Sequence, residues 1–143
     1  MDHEHYPDAY LREILENTRT VAVVGASPRH DRPSHRVMAY LQRHGYRVIP
    51  VNPNAVGERI NGERCYAALA EIAERVDMVD IFRRSAFAGA AVDDAIAVGA
   101  NVVWMQLGVR DDAAAARAAA AGLKVVMNRC PAIEIPRLAL PPR

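Results

Sequence analysis

Apolar positions along the chain fall into two kinds of run. Short blocks rich in β-branched residues cover Val21 to Val24, Tyr46 to Val51, Asp77 to Phe82, Asn101 to Gln106 and Leu123 to Met127. Between them lie longer stretches in which apolar residues recur every three or four positions. The first kind predicts strands and the second helices. Tyr10, Leu11, Ile14 and Leu15 form a helical stripe that starts at Pro7 and ends near Asn17. Val37, Met38 and Leu41 mark a helix over about 35–44, closed by Gly45. A third runs from Ser85 to about 98 with Phe87, Ala91, Val92, Ala95 and Ile96 inward, and ends at Gly99. Asp111 and Asp112 open an alanine-rich helix to about 121, and alanine is the strongest helix former. Residues 54–66 read as irregular, with a short helix following over about 67–74. The polar start, residues 1–6, reads as frayed. The proline-rich tail, 131–143, reads as irregular with at most one helical turn.

Strands that alternate with helices imply parallel pairing, right-handed crossovers and helices on both faces of one sheet. The expected fold is therefore α/β: a three-layer, doubly wound, Rossmann-like parallel sheet of about five strands in the order 3-2-1-4-5, with residues 1–143 as a single domain. In such a sheet the ligand crevice lies at the carboxyl ends of strands one and four, where the order reverses.

Composition narrows the partners. The net charge is +1, so no global attraction draws the chain to nucleic acid or a membrane surface. No apolar run is long enough for a membrane span. Two cysteines, Cys65 and Cys130, stand far apart with no CxxC, which suits a reducing, cytoplasmic setting. All but one of the 18 basic residues are arginine, whose planar fork suits phosphate.

The stretch around which the chain is organised is Val21 to Arg36, VAVVGASPRHDRPSHR. It reads as strand, polar loop and helix start, with Ser34 the expected N-cap. A helix N-terminus offers N–H groups and a positive dipole end to an anion. The expected topology brings Gly25, Ala26, Ser27, Arg32, Pro33, Ser34 and His35 to one crevice. Asn52 and Pro53, Phe82, Arg83 and Arg84, and Gln106, Leu107 and Gly108 join them there. Arginines after three of five strands, beside apolar residues, fit an anionic ligand with an apolar part. An NAD site is disfavoured. The G-x-G-x-x-G pattern is absent after Gly25, and Asn52 stands where an acid would hold the ribose hydroxyls. NADP stays open through the arginines. A small transferase using Cys130, beside Arg129, or His35 is the catalytic alternative. No residues are spaced as metal ligands.

The blocks VAVVGAS…RPS, GYRVIPVNP, VDMVDIFRRS, VVWMQLGV and GLKVVMNRCPAIE, in this order from Val21 to Leu138, resemble the YccU-type CoA-binding proteins. That family is similar to the CoA-binding domain at the start of the succinyl-CoA synthetase α subunit. The resemblance implies a Rossmann-like domain that binds coenzyme A or an acyl-CoA with no established reaction. It implies a phosphate loop at Gly25, Ala26, Ser27 and Arg32 to His35, a turn at Asn52-Pro53, and walls at Phe82 to Arg84 and Gln106 to Gly108. The second domain that carries the synthetase's phosphorylated histidine has no counterpart here, so ligase activity is not implied. Ala86, Phe87, Asn101 and Asn128 depart from the family's usual residues.

Overall fold

A computed structural model describes residues 1–143. Five parallel strands form the main sheet: β1 Thr20–Val24, β2 Arg47–Val51, β5 Met78–Ile81, β6 Val102–Met105 and β7 Lys124–Val126. A small antiparallel hairpin, β3 Arg59–Ile60 and β4 Glu63–Arg64, leaves the end of β2. The helices are α1 Asp8–Asn17, α2 Pro33–Arg43, α3 Ser85–Ala97, α4 Asp112–Ala120 and α5 Pro131–Arg137. The expected short helix over about 67–74 is a 3₁₀ turn, Leu69–Glu71.

Alternate residues of each strand point to opposite faces and build two cores. Val21, Val23, Met78, Trp104 and Val126 meet Leu11, Ile14 and Leu15 of α1, Met38 and Leu41 of α2 and Ile135 of α5. Ala22, Val24, Val79, Ile81, Val103 and Met105 meet the small residues of α3 and α4: Ala88, Ala91, Val92, Ala95, Ala114, Ala115 and Ala118. The alanine-rich helices thus lie close against the second face. Phe87, expected inward, is 62% exposed. It stands one position off the stripe that starts at Ala88, so α3 buries alanine and turns the ring outward.

The α/β architecture is the one expected. The sheet order is β2-β1-β5-β6-β7, consistent with the 3-2-1-4-5 pattern once a stub outside β2 is counted. That stub is Tyr66, joined to Val51 by a lone parallel bridge, and the order reverses between β1 and β5. What differs is the block that takes each place. The third β-rich block, expected at the edge, is β5, and it pairs with β1 through Val21↔Met78 to Val24↔Ile81. Pro50 gives a reason for the short outer partner of β2. It has no N–H to donate, which suits β2 to the edge of the full-length strands.

Both ends of the chain are tied down. Tyr6, in the segment expected to fray, is buried, and its hydroxyl accepts from the Met127 N–H at 2.8 Å. The tail expected to be irregular holds the seven residues of α5, whose first residue, Pro131, needs no N–H partner there.

One polar group stands inside the sheet. Asp80 is completely buried, between Val23 and Trp104 in register. Burial pushes its carboxyl well above the usual carboxylate range. The stability tied to a raised carboxyl is complete below the unfolded value of about 3.9 and is lost as pH rises through the folded one. Urea unfolding of wild type and Asp80→Asn across pH should show this. The asparagine variant, which does not titrate, should gain on wild type steadily as pH rises above about 4. A difference that does not vary with pH would refute the assignment.

Candidate functional site

The crevice begins with a close crossing of backbones. Gly25 ends β1 with φ +89°, a conformation that glycine adopts without penalty. A Cβ there would stand 2.2 Å from the carbonyl oxygen of Phe82. The loop after β1 can lie on the end of β5 only because residue 25 has no side chain. The N–H groups of Gly25 and Ala26 then donate to the Val51 carbonyl at 2.8 and 3.3 Å, which fixes the loop to the end of β2.

Two side chains hold the rest of the loop. Ser34, expected as the N-cap of α2, is its second residue instead, after Pro33; Arg32 is at the cap position. The Ser34 hydroxyl accepts from the Ser27 N–H at 3.1 Å and draws the loop back onto the helix start. Asn52 donates from Nδ2 to the Ala26 carbonyl at 2.7 Å and accepts from the Asn54 N–H at 2.9 Å. Its side chain is thereby spent on the loop.

Two hollows open on either side of the Gly25–Phe82 crossing. On the α2 side, a cavity of about 430 Å³ is lined by Gly25, Ser27, Arg29, Arg32, Pro33, Ser34, Phe82, Gln106, Leu107 and Val109. On the α3 side, one of about 510 Å³ is walled by Val24, Val51, Pro53, Leu69 and Phe87, with Arg83 and Asp94 as its charged groups. Eight of the residues expected at the crevice therefore line the first hollow, and Pro53 and Arg83 line the second. Ala26 and Asn52 shape the loop from behind. Arg84 is exposed at the cap position of α3. Gly108 turns the chain at φ +81°, and its N–H donates to Asn128 Oδ1 at 2.7 Å. The strand ends point to neither Phe87 nor Leu69. The helical stripe assigns Phe87 to the core, and Leu69 comes after a segment that reads as irregular.

The charges are arranged for an anion. No ion pair involves Arg32, Arg83 or Arg84, whereas Arg29 is held by Asp31 at 3.0 Å. The N-termini of α2 and α3 carry no acidic residue in the first turn and no side-chain cap. The N-terminus of α4, by contrast, is capped by Asp111, which accepts from the Ala114 N–H at 2.9 Å. Open helix starts beside unpaired arginines give a positive field at one edge of the sheet.

The groups considered for catalysis are engaged elsewhere. His35 is buried and its ring stacks on His30 at 4.4 Å between centroids. Burial, then the neighbouring His30, lowers its pKa. Cys130 is buried at the start of α5. The Arg129 guanidinium lies over the Tyr6 ring and donates to the carbonyls of Glu4 and Asn128. It neutralises backbone dipoles at the chain's start rather than a thiolate.

This fold is that of a known class. Residues 19–136 match the family of the CoA binding domain, and the chain belongs to that family. Among its relatives is the uncharacterized protein YneT of Bacillus subtilis, 36% identical over 122 residues, which cover 85% of this chain and 89% of YneT. A hypothetical protein from Pyrococcus horikoshii has a solved structure that superposes with a TM-score of 0.91 at 38% identity, covering 97% of this chain and 96% of that one. The alpha subunit of acetate–CoA ligase (ADP-forming) I from Pyrococcus furiosus is 32% identical over 95 residues, but these span 64% of this chain and only 21% of the subunit.

The crossing at Gly25 is open to test beside Gly57, which shares a positive φ of +84° but has nothing within 4 Å of an added Cβ. Gly57→Ala should cost about 1–2 kcal/mol, the penalty of the left-handed region alone. Gly25→Ala should cost clearly more in the same urea titration, because the Phe82 carbonyl must also move. Equal losses would mean that the two backbones are free to separate.

Proposed function

We propose that this chain binds coenzyme A or an acyl-CoA across the two hollows and holds it without transforming it. One observation carries the reading: hollows of opposite character flank a glycine crossing at the point where the strand order reverses. Coenzyme A is divided the same way, into an adenosine whose ribose carries a 3′-phosphate, a pyrophosphate, and an uncharged pantetheine arm. The apolar walls Val24, Val51, Pro53, Leu69 and Phe87 suit the adenine ring, with Arg83 for the 3′-phosphate. Asp94 is an acceptor of the kind an exocyclic amine needs. The polar hollow, with Arg32 and the α2 N-terminus, suits the pyrophosphate. Gln106 and Leu107 then lie along the path of the pantetheine arm. Family membership supports the same ligand. Catalysis is left out because His35, Cys130 and Arg129 are packed into the fold. NAD is disfavoured because Asn52, at the end of β2, already gives its side chain to the loop. The two cysteines, both free and buried, fit a reducing cytoplasm, and no helix is long and apolar enough to cross a membrane.

Thermal melts with CoA, acetyl-CoA, NAD and NADP test the ligand. A ligand at 100 times its dissociation constant stabilises the folded state by about 2.7 kcal/mol. CoA or its acetyl ester should raise the melting temperature while the dinucleotides do not, and the reverse result would overturn the reading.

Calorimetry tests the placement of the phosphates. Hydrogen bonds to charged groups contribute about 1.5–3 kcal/mol, so Arg32→Ala and Arg83→Ala should each weaken CoA binding roughly 10- to 100-fold. Arg84→Ala should do less, because Arg84 lines neither hollow. Added salt should weaken the wild type, since half-exposed charges are screened. Affinities that are equal in all four proteins and indifferent to salt would place the phosphates elsewhere.

A further inference from the structure

Asp80 and Gln106 stand apart from the rest of the crevice because the sheet buries both at a cost. Asp80 is fully enclosed and Gln106 is 5% exposed. Their immediate surroundings, Val23 and Trp104 beside Asp80 and Met105 before Gln106, are apolar. An aliphatic pair of similar volume would fill the space with no desolvation penalty. The two side chains are matched to each other. With the Gln106 carboxamide nitrogen facing Asp80, Nε2 donates to Oδ1 at 2.9 Å and to Oδ2 at 3.1 Å. An N–H can donate to a carboxyl oxygen whether or not the group is ionised. Those contacts lock the rotation of the carboxamide, and Oε1 is left without a protein donor. Gln106 itself lines the α2-side hollow, so its remaining acceptor is on the side chain that walls the crevice. Gln106 contributes to the wall of the α2-side hollow and to that of the adjoining depression beside Leu107 and Cys130.

We propose that Gln106 is a specificity residue, and Asp80 its positioning residue, for a secondary amide on the uncharged arm of the ligand. Asp80 turns the carboxamide so that Oε1 accepts from the amide N–H as the arm leaves the phosphate loop. This rests on the coenzyme A reading above, since pantetheine carries two such amides. It adds to that reading a recognition of the arm that is independent of the arginines. The acceptor is set before the ligand arrives, so binding spends no rotamer freedom on it.

The test compares CoA with its nucleotide half, adenosine 3′-phosphate 5′-diphosphate, which has the phosphates and no arm. Gln106→Met keeps the volume and removes the acceptor. It should weaken CoA about tenfold, or ~1.4 kcal/mol, and leave the nucleotide half within about twofold. Asp80→Asn should weaken CoA alone in the same way. The double variant should bind CoA no worse than Gln106→Met, because Asp80 acts only through Gln106; a purely structural Asp80 would give additive losses. Nitrogen-15 NMR of the wild-type protein keeps the proposal testable if a variant does not fold. CoA should shift the side-chain NH₂ resonances of Gln106, and the nucleotide half should not. Equal loss of both ligands in Gln106→Met, additive losses in the double variant, or Gln106 resonances unmoved by CoA would each overturn the proposal. A wild type that binds the nucleotide half as tightly as CoA would refute arm recognition while sparing the phosphate sites. A wild type that binds neither would overturn the coenzyme A reading beneath it.

Discussion

The crevice depends on one contact between backbones, Gly25 against the Phe82 carbonyl. Parallel strands β1 and β5 run side by side, and the chain must leave them in opposite directions, to α2 on one face and to α3 on the other. The two departing segments therefore cross at the carboxyl edge of the sheet. They cross without a side chain between them, since a Cβ at residue 25 would overlap the carbonyl at 2.2 Å. The shape of the polar hollow depends on that proximity. The N–H groups of Gly25 and Ala26 reach Val51, Asn52 reaches back to Ala26, and Ser34 takes the Ser27 N–H. The loop is held at both ends by hydrogen bonds that leave the side chains of Arg32, Arg83 and Arg84 unused.

Much of this was legible in the residues. Five β-rich blocks became the five strands, and the glycines after helical stripes marked their ends. The crevice residues were found by topology. A residue just past a parallel strand lies at its carboxyl edge, and Gly25, Ser27, Arg32, Ser34, Phe82, Gln106 and Leu107 meet there. Which block neighbours which was less legible, because periodicity says which face a residue takes and nothing about the strand beside it. Pro50 held a clue, as a strand residue with no donor for an outer partner. The stub at Tyr66 left almost no trace, since a single bridge has no period. Tyr6 escaped for a related reason: one aromatic side chain anchors a segment whose composition is otherwise polar. Phe87 shows where an aliphatic stripe misleads. In α3 the residues that face the sheet are mostly alanines, so the largest apolar side chain is free to wall a hollow.

Charge explains how a nearly neutral chain can present a cationic edge. Several charges at the opposite edge and on the flanks of the sheet are held in ion pairs. Arg47 is held between Glu63 and Glu74, Lys124 pairs with Glu13, and Arg75 lies by Asp77 at 3.6 Å. Asp77 also accepts from the N–H groups of Arg19 and Thr20 at 3.0 Å, which closes the start of β1. Such pairs contribute little each to stability at the surface, but they remove those charges from the long-range field. Arg32, Arg83 and Arg84, three of the arginines outside any ion pair, lie where the strands end and where two uncapped helices begin. A total charge of +1 is therefore a poor guide to what the molecule attracts. Arginines without acidic partners beside two open helix starts place positive potential at the edge where the backbone has left room for a ligand, and a crevice with low-dielectric walls concentrates that potential further.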